Sequence, residues 1–223
     1  MGREARQPVV DAQARGGGLR IAVVGATSFT GRAFVNLCEQ RGHDLVEVSR
    51  PKHDLLGDAP ETTARLVRLG YGHVVNFAAL NMVGESWDHA EDYVSTNVIG
   101  VSRLAEALLR ARVSRFVQVS TPEVYGSTDT FLQESAPFNP STPYAVSRAA
   151  IDLMLRCLQR EKGLPVLFTR TVNVYGAGQQ AYRIVPKTAI CAFSGRKLAL
   201  HGGGISTRSF IHVDDVAAGI RHR

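Results

Sequence analysis

Two short segments carry the side chains in this sequence best suited to chemistry. Ser120-Thr121-Pro122-Glu123-Val124-Tyr125-Gly126 places a hydroxyl at Thr121 and a carboxylate at Glu123 just past an apolar run. Tyr144-Ala145-Val146-Ser147-Arg148 places a phenol and a cation four residues apart, a spacing that puts both on one face of a helix. A hydroxyl can hold a substrate oxygen, and a phenol beside a cation can exchange a proton with it. A carboxylate can move a second proton. Behind a Gly-rich loop near the N-terminus, these groups suit hydride and proton transfer on a hydroxylated substrate.

The elements that must position them follow from periodicity. Arg20–Val24 is a short apolar run, expected to be a buried strand. It leads into Val24-Gly25-Ala26-Thr27-Ser28-Phe29-Thr30-Gly31 and a helix expected over 30–41. A Gly-rich loop between strand and helix is the place of a dinucleotide fingerprint. Gly25 permits the tight turn, and Gly31 permits close packing of helix on sheet. The amides of Ser28, Phe29 and Thr30 can face a pyrophosphate at the helix N-terminus. Ser28 replaces the middle glycine of a G-x-x-G-x-x-G pattern and can donate to a phosphate oxygen. The competing reading is a plain structural turn. Further strands are expected at 44–48, 73–77, 115–119 and 165–170, and helices at 89–112 and 143–160. This alternation predicts an α/β fold, a Rossmann-like doubly wound parallel sheet covered on both faces. After the second strand come Ser49-Arg50 and Lys52. An acidic residue there suits NAD, whereas an arginine suits a 2′-phosphate, so NADP is expected at least as much as NAD. Arg50 as a plain surface cation is the alternative.

Composition bounds the rest. With 223 residues and 44% apolar content, the chain can bury one sizeable core. The formal charge of +6 is scattered, which suits a mixed solvated surface or an anionic ligand. Sparse aromatics without basic interleaving give nucleic-acid binding little support. Cys38, Cys157 and Cys191 show no metal spacing, and their odd number argues against a disulfide framework. A reducing, cytoplasmic setting is expected. No apolar run approaches the roughly 18 residues of a membrane span. Residues 1–18 lack the apolar core of a signal peptide and are expected to be a flexible tail ending in Gly16-Gly17-Gly18. His43, His53, His73 and His89 show no metal-ligand spacing, and no metal is expected. His212 sits in an apolar run and is expected to be structural. His201-Gly202-Gly203-Gly204 resembles a lipase oxyanion motif, but no G-x-S-x-G elbow accompanies it. Met154 and Cys157 are expected to pack, and Trp87 to be core or substrate wall.

Seven segments, in order, carry a family resemblance: GATSFTG at 25–31, NFAAL at 76–80, NVIG at 97–100, STPEVYG at 120–126, YAVSR at 144–148, RTVNVYGAGQ at 170–179 and RSFIHVDD at 208–215. From about residue 20 onward, the chain resembles the extended short-chain dehydrogenases, specifically the nucleotide-sugar epimerases and dehydratases. The resemblance implies that Ala78 and Ala79 lie against the cofactor ribose, and that Asp54 and Leu55 frame its adenine. It implies that Thr121 holds the sugar 4-hydroxyl while Tyr144 takes its proton, as hydride leaves C4. Asn173 and Arg208 match groups that hold the substrate's phosphates.

Glu123 discriminates within the family. Oxidation at C4 acidifies the C5 proton, which a nearby carboxylate can remove as water leaves C6; pure 4-epimerases usually lack this carboxylate. Glucose-type 4,6-dehydratases resemble Thr-Asp-Glu here and mannose-type enzymes Thr-Ser-Glu. This chain has Thr121-Pro122-Glu123. It is similar to a dehydratase lacking the dedicated aspartic acid, so Glu123 would shuttle the proton itself, which requires partial burial. The plain alternative is a loop carboxylate. Arg148 departs further, since the family has lysine there to bind the nicotinamide ribose. Arginine keeps the charge that favours phenolate, but its planar fork is bulkier than an ammonium. Adaptation and impairment are both open. The expected organisation is a tail at 1–18, a dinucleotide-binding domain at 19–170 and a partial substrate-binding region at 171–223. Family members run well past the segment at 208–215, so the substrate lobe is expected to be incomplete. By analogy, helices 89–112 and 143–160 pair in a homodimeric four-helix bundle. An enzyme acting on nucleotide sugars is expected, with an epimerase or a non-catalytic dinucleotide-binding protein as alternatives.

Overall fold

Strand β1 (Arg20–Val24) lies between β2 (Asp44–Val48) and β3 (His73–Asn76), and β4 (Arg115–Val119) and β5 (Val166–Thr169) extend the sheet. All neighbours pair in parallel, in the order β2-β1-β3-β4-β5. The computed structural model describes residues 18–128, 131–200, 204–205 and 207–221. The expected tail through residue 17 and His201-Gly202-Gly203 lie outside the described residues.

Helices α1 (Phe29–Gln40), α2 (Ala59–Arg68), α4 (Val101–Ala111) and α5 (Pro143–Lys162) cover the sheet. Helix α1 buries Gly31, Phe34, Val35 and Cys38, a stripe at helical spacing. It packs with Ile21, Val23, Val75 and Val117 on one sheet face. On the other face, Leu104, Leu108, Ile151 and Leu155 from α4 and α5 meet Ala22, Val24, Val74 and Phe116. Strand side chains alternate between two covered faces, which explains the near-continuous apolar runs Ile21–Val24, Val74–Val75 and Phe116–Val117. One polar pair interrupts the sheet interior: Asn76 Nδ2 donates to Gln118 Oε1 at 2.9 Å across β3 and β4.

One expectation changes here. The single helix expected over 89–112 is α3 (Ala90–Tyr93), a π-helical stretch Val94–Gly100, and then α4. The wider turns of a π segment carry an inserted residue, and they are common at functional positions. Beyond β5, β6 (Asn173–Tyr175) and β7 (Phe210–His212) form a separate parallel pair, and α6 (Ile184–Phe193) buries none of its residues. Helix α7 (Val213–Arg221), however, packs along α1 and gives Val216, Ala217 and Ile220 to the central core. Helix α7 thus lies beyond residue 170 in the chain but packs with the helix that follows β1.

Candidate active site

The loop after β1 is built for close approach. Gly25 has φ +76°, and a Cβ on it would stand 2.5 Å from the Ala78 nitrogen. The loop and the end of β3 are thus in backbone contact, which only glycine allows. Ser28 caps α1 by accepting from the Gly31 N–H at 3.1 Å, leaving its hydroxyl proton to donate. The Ser28 amide, expected to face a pyrophosphate, instead donates to the Gly25 carbonyl at 3.0 Å. Phe29 and Thr30 open the helix, where the first N–H groups have no intrahelical acceptor. Gly31 is close to the loop rather than to the sheet: a Cβ would lie 2.6 Å from the Gly25 oxygen.

Past β3, Ala78 and Ala79 are half-buried, with the Ala78 N–H held by Asn76 Oδ1 at 3.0 Å. Asn97, in the π-helical stretch, grips the next residue. Its Oδ1 accepts from Leu80 N–H at 2.9 Å, and its Nδ2 donates to the Leu80 carbonyl at 3.0 Å. The same Nδ2 donates to Ser147 Oγ on α5 at 3.0 Å. Asn97 thereby fixes the loop after β3 relative to the helix that carries Tyr144. This role went unseen in the sequence, although the buried polar residue amid apolar neighbours was its signal.

Thr121 and Glu123 stand on one short 3-10 turn, Pro122–Tyr125, after β4. Thr121 is 8% exposed and caps the turn, its Oγ1 accepting from the Glu123 N–H at 3.3 Å. Glu123 is half-buried. Proline at the first position fits a turn whose leading amide has no acceptor. Tyr144 begins α5 in the same way: Thr142 caps, its Oγ1 accepting from Ala145 N–H at 3.1 Å, and Pro143 follows. Tyr144 is 9% exposed, and the ring of Tyr93 meets it edge-on at 6.2 Å. Burial pushes the Tyr93 phenol up, and its hydroxyl already donates to the Met82 carbonyl at 2.6 Å. Tyr93 is thus a wall of the site rather than a second base.

Arg148 lies one turn after Tyr144 and is 2% exposed. Its Nη2 donates to the Val119 carbonyl, while Nε and Nη1 are buried without a protein partner. Two orphaned donors beside Tyr144 fit a ligand rich in acceptors, because a buried unpaired donor is costly. The tight Gly25–Ala78 cradle and these donors together suit a dinucleotide with its ribose near Arg148.

The remaining expected residues are placed less centrally. Arg50 is exposed and paired with Asp54 at 3.5 Å, and Asp54 Oδ1 also accepts from Leu56 N–H at 2.8 Å. Leu55 is a core residue, its Cβ lying where a side chain on Gly100 would need to go. Asn173 and Arg208 are both exposed, on β6 and just before β7. Asn173 pairs in register with Phe210, and its Nδ2 donates to the Ser209 carbonyl at 3.2 Å. Met154 and Cys157, expected to pack, are exposed on α5, and Trp87 is exposed rather than core. Among the described residues, no group of three or more His, Cys, Asp or Glu could hold a metal. No helix of the described residues is long and apolar enough to cross a membrane.

A parallel sheet with a glycine cradle, a buried tyrosine and a cation one turn later defines a dinucleotide-binding fold of the short-chain dehydrogenase type. The sequence model of the NAD dependent epimerase/dehydratase family matches residues 21–222. The chain belongs to that family. It is 37% identical over 186 residues to a dTDP-glucose 4,6-dehydratase of Streptomyces griseus, covering 83% of this chain and 55% of that one. It is 40% identical over 148 residues to the low-salt glycan biosynthesis protein Agl12 of Haloferax volcanii, covering 66% and 48%. The chain thus spans about half the length of these relatives. Among solved structures, a double mutant of the dTDP-glucose 4,6-dehydratase DesIV of Streptomyces venezuelae, with NAD bound, superposes with a TM-score of 0.81 at 31% identity, over 91% of this chain and 70% of that one. The UDP-glucose 4-epimerase of Thermus thermophilus, with NAD, gives 0.79 at 25% identity, over 92% and 74%.

Proposed function

We propose that this chain carries the cofactor half and the catalytic segments of an NAD-dependent nucleotide-sugar 4,6-dehydratase. The observation that supports this most is the half-buried Glu123 on the same short turn as the Thr121 hydroxyl. The cradle at Gly25 and the orphaned donors of Arg148 fit NAD, which supplies the hydride acceptor and donor at the sugar C4 and C6. Phe29 and Thr30 would offer amides to its phosphates, and Ser28 a hydroxyl. Ala78 and Ala79 would line its ribose, and Asp54 the adenine end. The NAD-dependent family model and the NAD bound in the similar solved structures favour NAD over NADP. Thr121 and Tyr144 hold the sugar 4-hydroxyl, and Tyr144 takes its proton. Glu123 removes the C5 proton and delivers it to the departing C6 hydroxyl, so that water leaves; when hydride is returned to C6, C5 regains a proton, which balances the one Tyr144 took from the 4-hydroxyl. Asn173 and Arg208 would meet the nucleotide phosphates, the guanidinium as a bidentate donor.

A homodimer is part of the proposal. Helix α5 exposes Val146 at 49%, Leu153 at 51% and Met154 at 42%, with Val94 and Ile99 also exposed on the preceding helical segment. These positions suit an apolar seam between two copies.

The test is incubation with NAD or NADP and a panel of nucleotide sugars, scored by the alkali-induced absorbance of 4-keto-6-deoxy products. Product, with NAD the better cofactor, is expected. An inverted hexose without ketone would establish the epimerase reading instead, and NAD binding without turnover the non-catalytic one.

A further inference from the structure

The buried ion pair between Asp152 and Arg170 belongs to none of the roles assigned above. Asp152 lies on α5, two turns after Tyr144 and one after Arg148, with its side chain fully buried. Its Oδ2 accepts three hydrogen bonds: from Ser120 Oγ at 2.8 Å, from Arg170 Nε at 3.1 Å and from Arg170 Nη2 at 2.8 Å. Arg170 directly follows β5 and has a side chain only 10% exposed. Its third nitrogen, Nη1, donates to the Tyr125 hydroxyl at 3.2 Å, and that hydroxyl donates to the Glu134 carbonyl at 3.0 Å. The guanidinium carbon lies 5.5, 5.2 and 5.3 Å from the ring centres of Tyr125, Phe138 and Phe168. Arg156, one turn beyond Asp152, lies over Phe138 at 5.0 Å.

Ser120 enters the turn that holds Thr121 and Glu123, and Tyr125 ends it. Both ends of the turn are therefore tied to one carboxylate on the helix that carries Tyr144. Only a planar fork can face a carboxylate with one edge and a phenol with the other while stacking on aromatic rings. A buried ion pair adds little net stability over apolar packing, so geometric specificity is the better account of its presence. We propose that Asp152 and Arg170 are positioning residues. They fix the distance between the Thr121–Glu123 turn and Tyr144, with Tyr125 as the connecting arm.

This rests on the dehydratase reading for its catalytic consequence, but not for its mechanical one. The variants are Arg170→Lys, Arg170→Met and Tyr125→Phe. Turnover, the KM for NAD and nucleotide sugar, and amide hydrogen exchange of residues 120–126 are measured for each. Arg170→Lys and Tyr125→Phe are expected to lower kcat about ten-fold or more, since small misplacements of reacting groups are costly. Both KM values should stay within about two-fold, because the groups that bind are untouched. Exchange over 120–126 should rise. Wild-type kcat and exchange in both variants would overturn the proposal, as would a loss carried by NAD affinity alone. If Arg170→Met does not fold, the other two variants decide. If the wild-type chain turns over no sugar, the dehydratase reading falls, and exchange over 120–126 still decides the positioning role.

Discussion

In the proposed reaction, Glu123 and Tyr144 divide the proton transfers, with Tyr144 serving the C4 hydroxyl and Glu123 serving C5 and C6. Glu123→Gln should therefore reduce 4-keto product at least about a hundred-fold, with NAD affinity, followed by titration, little changed. Arg148 sits where the resemblance leads one to expect lysine, and its guanidinium spends one nitrogen on the Val119 carbonyl. Arg148→Lys should leave turnover unchanged or raise it. A fall of about a hundred-fold with NAD binding intact would show a site tuned to the planar fork. At Cys38, burial pushes the thiol from 9.0 up to about 11. A raised value in the folded state means that the protonated thiol favours folding. That contribution is complete below pH 9 and is lost as pH rises towards 11. Stability measured by denaturant titration should fall across this window, and Cys38→Val should flatten the fall. Exposed Cys157 should react with a thiol reagent well before Cys38 does.

At the scale of elements, the site depends on where strand ends meet loops. Gly25 joins β1 to the end of β3 with no space for a side chain and with a left-handed backbone. Gly25→Ala should cost about 1–3 kcal/mol from the backbone conformation alone, and more from the clash with Ala78. Thermal unfolding and NAD titration together would show it, affinity falling with stability. The π-helical stretch before α4 is the second such device. It carries Asn97 to a place where one amide holds both backbone groups of Leu80 and the Ser147 hydroxyl. An uninterrupted helix over 89–112 would follow from the apolar spacing of Tyr93, Val101, Leu104 and Leu108, which cannot register an inserted residue.

At the scale of the molecule, two surfaces stand apart. One is the apolar seam on α5, proposed to join two copies. Leu153→Arg should shift sedimentation from dimer to monomer while the circular dichroism spectrum is preserved, since this residue touches solvent in the single chain. The other is α6 and its surroundings, where Phe193 and Ile205 are almost fully exposed. Helix α7 returns from that region to pack on α1, so the chain folds back into its first half after leaving it.

Much of this was legible in the residues. The alternation of apolar runs with helical stripes specifies the parallel sheet, because strands covered on both faces are largely apolar. Gly25 and the caps Ser28, Thr121 and Thr142 are local signals, since a turn or a helix start is satisfied by its own neighbours. The partners of buried polar groups are not local. Asp152 and Arg170 are 18 residues apart, and Asn97 and Ser147 are 50 apart. Nothing in their spacing along the chain tells which carboxylate meets which guanidinium. The packing of α5 against β5 and the turn after β4 decides that Arg170, not Arg148, pairs with Asp152. It thereby leaves Nε and Nη1 of Arg148 without a protein partner. The sequence by itself determined the sheet, the cradle and the identity of the reactive groups. Only the tertiary structure decided which of them are paired, which remain available, and what holds them in register, because burial charges a penalty that only distant partners can offset.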